Sequence, residues 1–395
     1  MSATAERGSP EALLAGLDKD GLLRRLAPLD DGGGPVVRRG GRELVNFASN
    51  DYLGLSRHPR VVDAMIDGAR RFGAGAGASR LVCGGQPPHH ALEEALADAK
   101  GGEAALVFSS GYAVAAGCIP VIVGRGDTVI LDKLSHACLV DAARASGATV
   151  RVIPHNRMDS LEGLLVKSRK RAPDGRVLVV TESLFSMDGD VCPLEEIAGL
   201  CERHGAMLWL DEAHATGVLG PQGGGLARMP GAAGRVDFQM GTLGKALGVA
   251  GGFLVASRAW IDLMVNRARA FVYSTAPPAA MAHAALEALA ISRSAEGDAM
   301  RDRLRSHLRA LGVPDHPGAI VPLVLGSNRA VLAASASLEE AGLMVPAIRH
   351  PTVPRGTARL RVSLSAAHEP AAVQRLRAAL DEIKSGLAKG SRENP

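Results

Sequence analysis

The chain has 395 residues, 47% hydrophobic and 22% charged, enough for a large core and more than one domain or subdomain. The formal charge is only +4 and the basic residues are scattered without a run of five or six like charges, which argues against nucleic acid as a partner. Five cysteines, an odd count with no C-x-x-C pair, suggest neither a disulfide framework nor a metal site; the absence of an apolar leader in residues 1–10, or of a later run of about eighteen apolar residues, predicts a cytoplasmic protein without a membrane partner.

Leucines 13, 14, 17, 22, 23 and 26 fall at broadly helical spacing, predicting one amphipathic helix over 11–29 that Pro28 closes. From Leu44 the pattern alternates. Short apolar runs at Leu106–Phe108, Thr128–Leu131, Val150–Ile153, Val177–Thr181, Met207–Leu210, Phe238–Met240 and Gly252–Val255 read as strands. The helix-length segments His89–Lys100, Ala113–Val123, Leu139–Ser146, Leu161–Arg169 and Leu194–His204 lie between most of them. Near-continuous apolar strands alternating with helices predict an α/β fold with a parallel sheet covered on both faces. A helix over Ala279–Arg293, smaller-sheet segments at Ile320–Leu325, Leu343–Ile348 and Leu360–Leu364, and a final helix over Pro370–Leu387 place a domain boundary near residue 278.

In such a sheet, ligands sit beyond the carboxyl ends of the strands, so the polar residues there matter most. Asp211-Glu212-Ala213-His214 follows one strand, and its letters match the metal box of a nucleotide-driven helicase. That chemistry needs an upstream G-x-x-x-x-G-K-[ST] loop, and none exists; Gly241–Ala246 lacks both the first glycine and the hydroxyl residue. The alternative sets Asp211 against a cationic pyridine nitrogen and Lys245 at the aldehyde of the same ring, so that the ring can accept electrons from a carbanion. A lone aspartate after a strand is usually a helix cap. Lys245, however, is one of only eight lysines and sits among Gly244, Ala246 and Gly248, an apolar setting that lowers an amine's pKa. Ser109-Ser110-Gly111-Tyr112 leads from a strand into a helix whose free N–H groups suit a phosphate, and His136, again just after a strand, suits stacking on a flat ring. Gly73–Ala78 has the letters of a dinucleotide fingerprint but follows a helix, so it reads as a small-residue loop.

Further motifs accompany these. Asn46-Phe47-Ala48-Ser49-Asn50-Asp51-Tyr52-Leu53-Gly54-Leu55, Thr181-Glu182-Ser183-Leu184-Phe185-Ser186-Met187-Asp188-Gly189-Asp190, the Asp211–His214 box, Thr242-Leu243-Gly244-Lys245 and Tyr273-Ser274-Thr275 stand in that order. With this ordered set, residues 10 to 385 resemble the pyridoxal-phosphate-dependent α-oxoamine synthases. The resemblance implies a fold-type I transferase: an arm over 1–55, a large cofactor domain with a mostly parallel seven-stranded sheet over 56–278, and a smaller α+β domain over 279–395. It implies pyridoxal 5'-phosphate as cofactor, held by Lys245 as a Schiff base, and a homodimer with shared sites. Asp211 would meet the ring nitrogen, His136 stack on the ring, and His214 with Ser186 attend its phenolic oxygen. Gly111, Tyr112 and Thr242 would hold the phosphate, with Thr275 reaching it from the partner subunit.

Arg361 and Asn50, with His136, would meet the amino acid, and Arg24 and Thr352 the acyl substrate. The tail from Ile348 to Arg361 most resembles the branch that joins L-alanine to pimeloyl-CoA or pimeloyl-acyl carrier protein in biotin biosynthesis; the branch that joins glycine to acetyl-CoA is the alternative. Two departures, the loop Cys83–Pro88 and the pair Ser183-Leu184, bear on the acyl chain. Lys245, Asp211 and His136 together oppose a non-catalytic subunit of the same fold.

Overall fold

The computed structural model describes residues 8–390; residues 1–7, most of the stretch that argues against a leader, lie outside the described residues. Helix α1 spans Pro10–Lys19, with Ser9 capping the N–H of Ala12 and Pro10 at the first helical position. It stops well short of residue 29, because Asp20 and Gly21, the latter at φ +64°, break it and the chain beyond is irregular. Leu13, Leu14 and Leu17 stay exposed, so the amphipathic stripe finds no surface of this chain to bury against, and spacing alone does not hold a helix. The hairpin β1 (Val36–Arg39) and β2 (Arg42–Asn46) follows, then α2 (Pro59–Phe72) and α3 (Pro87–Lys100).

The central sheet holds β3 (Ala104–Phe108), β4 (Thr128–Asp132), β5 (Thr149–Ile153), β6 (Val177–Glu182), β7 (Met207–Asp211), β8 (Phe238–Thr242) and β9 (Gly252–Ala256), in the order β3-β9-β8-β7-β6-β4-β5. These are the seven apolar runs of the sequence. Interleaved are α4 (Gly111–Ile122), α5 (Ala137–Ala145), α6 (Met158–Arg171) and α7 (Leu194–His204). Because side chains alternate along a strand, Val129, Leu131, Leu178, Val180 and Trp209 pack with α4 and α5, while Ile130, Val177, Val179, Leu208 and Leu210 pack with α6 and α7. Strand β9 runs antiparallel to both β8 and β3. The connection from Thr242 to Gly252 is too short for the crossover that a parallel strand needs, and Lys245 lies on it.

Beyond the sheet come α8 (Arg258–Arg267), α9 (Arg269–Val272), α10 (Ala279–Ser292), α11 (Ala295–Leu311), β10 (Ile320–Gly326), α12 (Asn328–Glu340), β11 (Leu343–Met344), β12 (Ala347–Ile348), β13 (Ala358–Ser363) and α13 (Pro370–Gly390). The single segment expected over Leu343–Ile348 divides: β11 pairs with β2, and β12 pairs with β13. Pro346, between them, has no N–H to continue a ladder. The expected boundary at residue 278 falls just before α10, yet α10 packs on α2 and α3, and one hydrophobic core runs across the junction.

The contact between α2 and α10 is closest at Gly68, where an added Cβ would lie 2.8 Å from the Ala280 Cα. Replacing a mid-helix glycine by alanine normally gains about 0.5–1 kcal/mol, whereas forcing atoms into a packed contact costs about 1–3 kcal/mol. The clash wins in this account, so Gly68→Ala is expected to lower the urea midpoint of unfolding. An unchanged or raised midpoint would show that the two helices can separate at no cost.

Candidate active site

The carboxyl ends of β4, β6, β7 and β8 converge on Lys245. Its Nζ lies 2.9 Å from His214 Nε2, and His214 Nδ1 lies 2.6 Å from the Tyr52 hydroxyl. Tyr52 donates to Asn50 Oδ1 at 3.0 Å, and both terminal nitrogens of Arg361 donate to the same oxygen at 3.2 Å. Only one set of protons satisfies this chain with a neutral histidine: Lys245 donates to Nε2, Nδ1–H donates to the Tyr52 oxygen, and the Tyr52 proton goes to Asn50. Burial, and then the charges of Lys245 and Arg361, hold His214 well below the ordinary histidine range. Burial likewise pushes Tyr52 up to about 12, against the charge of Arg361. Lys245 is itself lowered, because burial outweighs the carboxylates of Asp211 and Glu182.

Asp211 ends β7 and is buried, and the one hydrogen bond to its carboxylate is the Ala213 N–H, 2.9 Å from Oδ1. Burial raises its carboxyl, while Lys245 opposes the rise. A buried carboxylate with one neutral donor lacks a cation. Across the sheet from it in register is Glu182, also buried and pushed up to about 8 by burial and by Asp211. Glu182 Oε1 accepts the backbone N–H of His136 at 2.5 Å. His136 caps α5, with Nδ1 3.3 Å from the Cys138 N–H and 3.0 Å from Cys138 Sγ, and the residue remains exposed, so its ring has an open face.

At the start of α4, Ser110 caps the Ala113 N–H and leaves those of Gly111 and Tyr112 without an intrahelical acceptor. Thr242 stands next to this helix end, since a Cβ on Gly111 would be 4.0 Å from the Thr242 Cβ. The Thr242 hydroxyl donates to Gly251 O at 2.9 Å and accepts the Gly244 N–H at 3.1 Å. Arg361 is fixed further by donating Nε to Ser186 O at 2.6 Å and Nη1 to Ser363 Oγ at 2.8 Å.

Three predicted site residues stand apart from this network. Arg24 and Thr352 join each other at 3.0 Å at an exposed position, and no hydrogen bond links them to Lys245. A cavity of about 520 Å3, lined by Asp20, Leu22, Asn328, His350 and Arg355 among others, involves the same two stretches of chain. Thr275 is exposed on the loop before α10, where the neighbouring Ala276 N–H donates to Ala78 O. Tyr52 and Glu182 carry motif letters but were not singled out by sequence reasoning, because their partners lie on distant segments. Among the described residues, no cluster of His, Cys, Asp and Glu could hold a metal ion.

The family model for aminotransferases of class I and II matches residues 42–380. The chain belongs to that family. Among its curated relatives, an 8-amino-7-oxononanoate synthase of Anaeromyxobacter dehalogenans is 53% identical over 95% of both chains. One of Burkholderia thailandensis is 47% identical over 96% of this chain and 98% of its own. A serine palmitoyltransferase of S. paucimobilis, solved with a bound PLP-myriocin aldimine, superposes with a TM-score of 0.90 at 28% identity, covering 98% of this chain and all of its own. An 8-amino-7-oxononanoate synthase of Francisella tularensis shares the fold at a TM-score of 0.74 and 24% identity, covering 88% of this chain and 99% of its own.

The residues of this family member fit pyridoxal phosphate. An amine of lowered pKa, a buried carboxylate lacking a cation, an open imidazole face and unpaired helix N–H groups match its aldehyde, pyridinium, ring and phosphate. Asp211→Asn keeps the shape and removes the charge, and a charge-assisted bond is worth roughly 1.5–3 kcal/mol, or about ten- to a hundredfold or more in rate. The variant is expected to retain cofactor and lose turnover by that factor. Full turnover with cofactor bound would remove Asp211 from the ring nitrogen.

Proposed function

We propose that the chain condenses L-alanine with a pimeloyl thioester, giving 8-amino-7-oxononanoate, carbon dioxide and the free thiol, with pyridoxal phosphate as cofactor. The observation that carries this is the hydrogen-bonded series Lys245–His214–Tyr52–Asn50–Arg361, which sets a reactive amine and a carboxylate-binding fork into one rigid network. The relatives named for this activity match over nearly the whole chain.

When bound, the cofactor withdraws electrons from the α-carbon of the amino acid. Asp211 would keep the ring nitrogen protonated. Lys245 acts as the base for the alanine α-proton: its lowered pKa leaves more of the amine neutral, and His214 accepts its N–H and so aims Nζ. His136 would cover one face of the ring, and His214 and Ser186 would stand at its phenolic edge. The N–H groups of Gly111 and Tyr112, with Thr242, would hold the phosphate; Thr242 would take part by turning its hydroxyl from Gly251.

Arg361 turns two N–H groups toward Asn50 Oδ1, and a substrate carboxylate is the stronger acceptor for that fork. The same pair would orient the carboxylate that departs as carbon dioxide. Arg24 and Thr352 would line the acyl side. His350 and Arg355 in the neighbouring cavity offer the distal carboxylate of a pimeloyl chain the cationic or hydrogen-bonding surroundings that it needs once out of water. Coenzyme A or an acyl carrier protein would deliver that chain.

A homodimer belongs to the proposal, with Thr275 serving the site of the partner subunit; Tyr273 and Thr275 are exposed in the single chain. A cytoplasmic location belongs to it as well, and among the described residues no helix is long and apolar enough to cross a membrane.

The test is kcat/KM for a matrix of amino acids and acyl thioesters. L-alanine with a pimeloyl thioester is expected to lead. One methyl group gives only about 1–3 kcal/mol of selectivity, so the acyl end should discriminate more than alanine against glycine. Preference for glycine with acetyl-CoA would assign the chain to the other branch, 2-amino-3-ketobutyrate CoA ligase.

A further inference from the structure

His155 lies outside the network around Lys245, on the segment after β5, yet two carboxylates grip it. Its Nδ1 is 3.0 Å from Asp132 Oδ1 at the end of β4, and its Nε2 is 2.8 Å from Asp190 Oδ2. Asp132 is held by the backbone as well, with Oδ1 accepting the Leu134 N–H at 2.8 Å and Oδ2 the Asn156 N–H at 2.9 Å. Asn156 Nδ2 is a further neighbour of Nε2 at 3.3 Å, but the shorter contacts are to the two carboxylates, which cannot donate when ionised, so both ring nitrogens carry protons toward them and the imidazole is a cation. The Phe185 ring stands edge-on to it, 4.4 Å between centroids, and closes that side.

Asp190 belongs to a tight hairpin. Phe185 N–H donates to Asp190 O and Gly189 N–H to Phe185 O, both at 2.9 Å, and Leu184 bridges to Val191. Asn156 Nδ2 adds a bond to Val191 O at 3.2 Å. The far side of the same hairpin faces β13: Ser186 O accepts Arg361 Nε at 2.6 Å, and Asp188 Oδ1 accepts Arg359 Nη1 at 2.6 Å. At Gly189, φ is +72° and a Cβ would fall 2.1 Å from Ile320 O, so the turn has no slack toward the small sheet. The hairpin is therefore a lever, with His155 at one end and the guanidinium of Arg361 at the other.

We infer that His155 is a positioning residue for amino-acid binding: by clamping Asp132 to Asp190 it fixes the hairpin that sets the plane of Arg361. The inference rests on the reading of Arg361 as the partner of the substrate carboxylate. Burial alone would push His155 down, but the hydrogen bonds and charges of Asp132 and Asp190 prevail and lift it to about 10. Other titratable groups share this place: His316, from the segment before β10, is close against Gly189 and within the field of Asp190, Cys192 lies within the field of both aspartates, and Glu182 within that of Asp132. With the folded value above the ordinary one of about 6.5, the stabilisation from the cation is complete below that pH and is lost as pH rises through about 10.

The experiment compares full-length holoenzyme carrying His155→Gln, the milder Asp190→Asn, and Arg361→Lys as the reference. In both clamp variants the KM for alanine should rise by about tenfold or more, as for a weakened carboxylate contact, while the KM for the thioester, the affinity for pyridoxal phosphate and the visible spectrum stay as in the wild type. Should His155→Gln fail to fold, Asp190→Asn decides. An unchanged alanine KM in the clamp variants, beside a raised one in Arg361→Lys, overturns the inference and leaves the reading of Arg361 intact. An unchanged alanine KM in Arg361→Lys overturns that reading and the inference with it. Parallel loss of affinity for alanine, thioester and cofactor also overturns it, because the clamp would then support the fold as a whole.

Discussion

Lys245 Nζ is aimed by its hydrogen bond to His214 Nε2, and that nitrogen accepts in one tautomer alone. That tautomer depends on Tyr52, which must receive from Nδ1 and give to Asn50, and Asn50 in turn is held by Arg361. A protonated His214 would carry an N–H at Nε2 as well and would reverse the bond there, turning a neutral Lys245 from donor to acceptor. Burial keeps the imidazole neutral, and the guanidinium of Arg361, which can only donate to Asn50 Oδ1, sets the direction of every bond from β13 back to the β8–β9 loop. Such a series crosses from the central sheet to the small C-terminal sheet, and in this account it couples the reactive amine to the substrate's carboxylate.

Beneath the network lies a second layer that never meets substrate. Glu212, next to Asp211, is fully buried and accepts Lys100 Nζ at 2.7 Å, while Lys100 also donates to Thr216 Oγ1 and Gly224 O. Glu212 takes the Ala227 N–H with its other oxygen. Breaking a buried pair by removing one partner typically costs about 3–5 kcal/mol, so the segment carrying Asp211 and His214 is pinned from behind. Glu182 plays a comparable part for His136. Alternate residues of this segment thus serve different tasks, Asp211 toward the site and Glu212 toward the scaffold.

Much of this was legible in the sequence, for identifiable reasons. Six of the seven strands of the central sheet are buried on both faces and apolar, so their runs stand out, and the edge strand β5 shows through Val150, Val152 and Ile153 although it is partly exposed; residues at or just past the strand ends include Asp211, His214, His136 and Gly111. Patterns that depend on what a segment packs against were less legible. The leucines of residues 11–29 have helical spacing, but only Pro10–Lys19 is helical, since nothing in the chain covers that face. Helix α11 was missed beneath its charged residues, although Met300, Leu304, Leu308 and Leu311 mark its buried side. The antiparallel course of β9 follows from the shortness of the loop before it. His155 carried no signal of its own, because its carboxylates come from residues 23 and 35 positions away that only the strand order β6-β4-β5 brings together. Tyr52 and His214, 162 residues apart, escaped notice as a pair for the same reason.

The measurement that bears most directly on the account is the location of the cofactor's covalent attachment. Holoenzyme reduced with borohydride, digested and mapped by mass spectrometry should carry one pyridoxyl group, on Lys245. A pyridoxyl group on any of the other seven lysines, or on none, would contradict it.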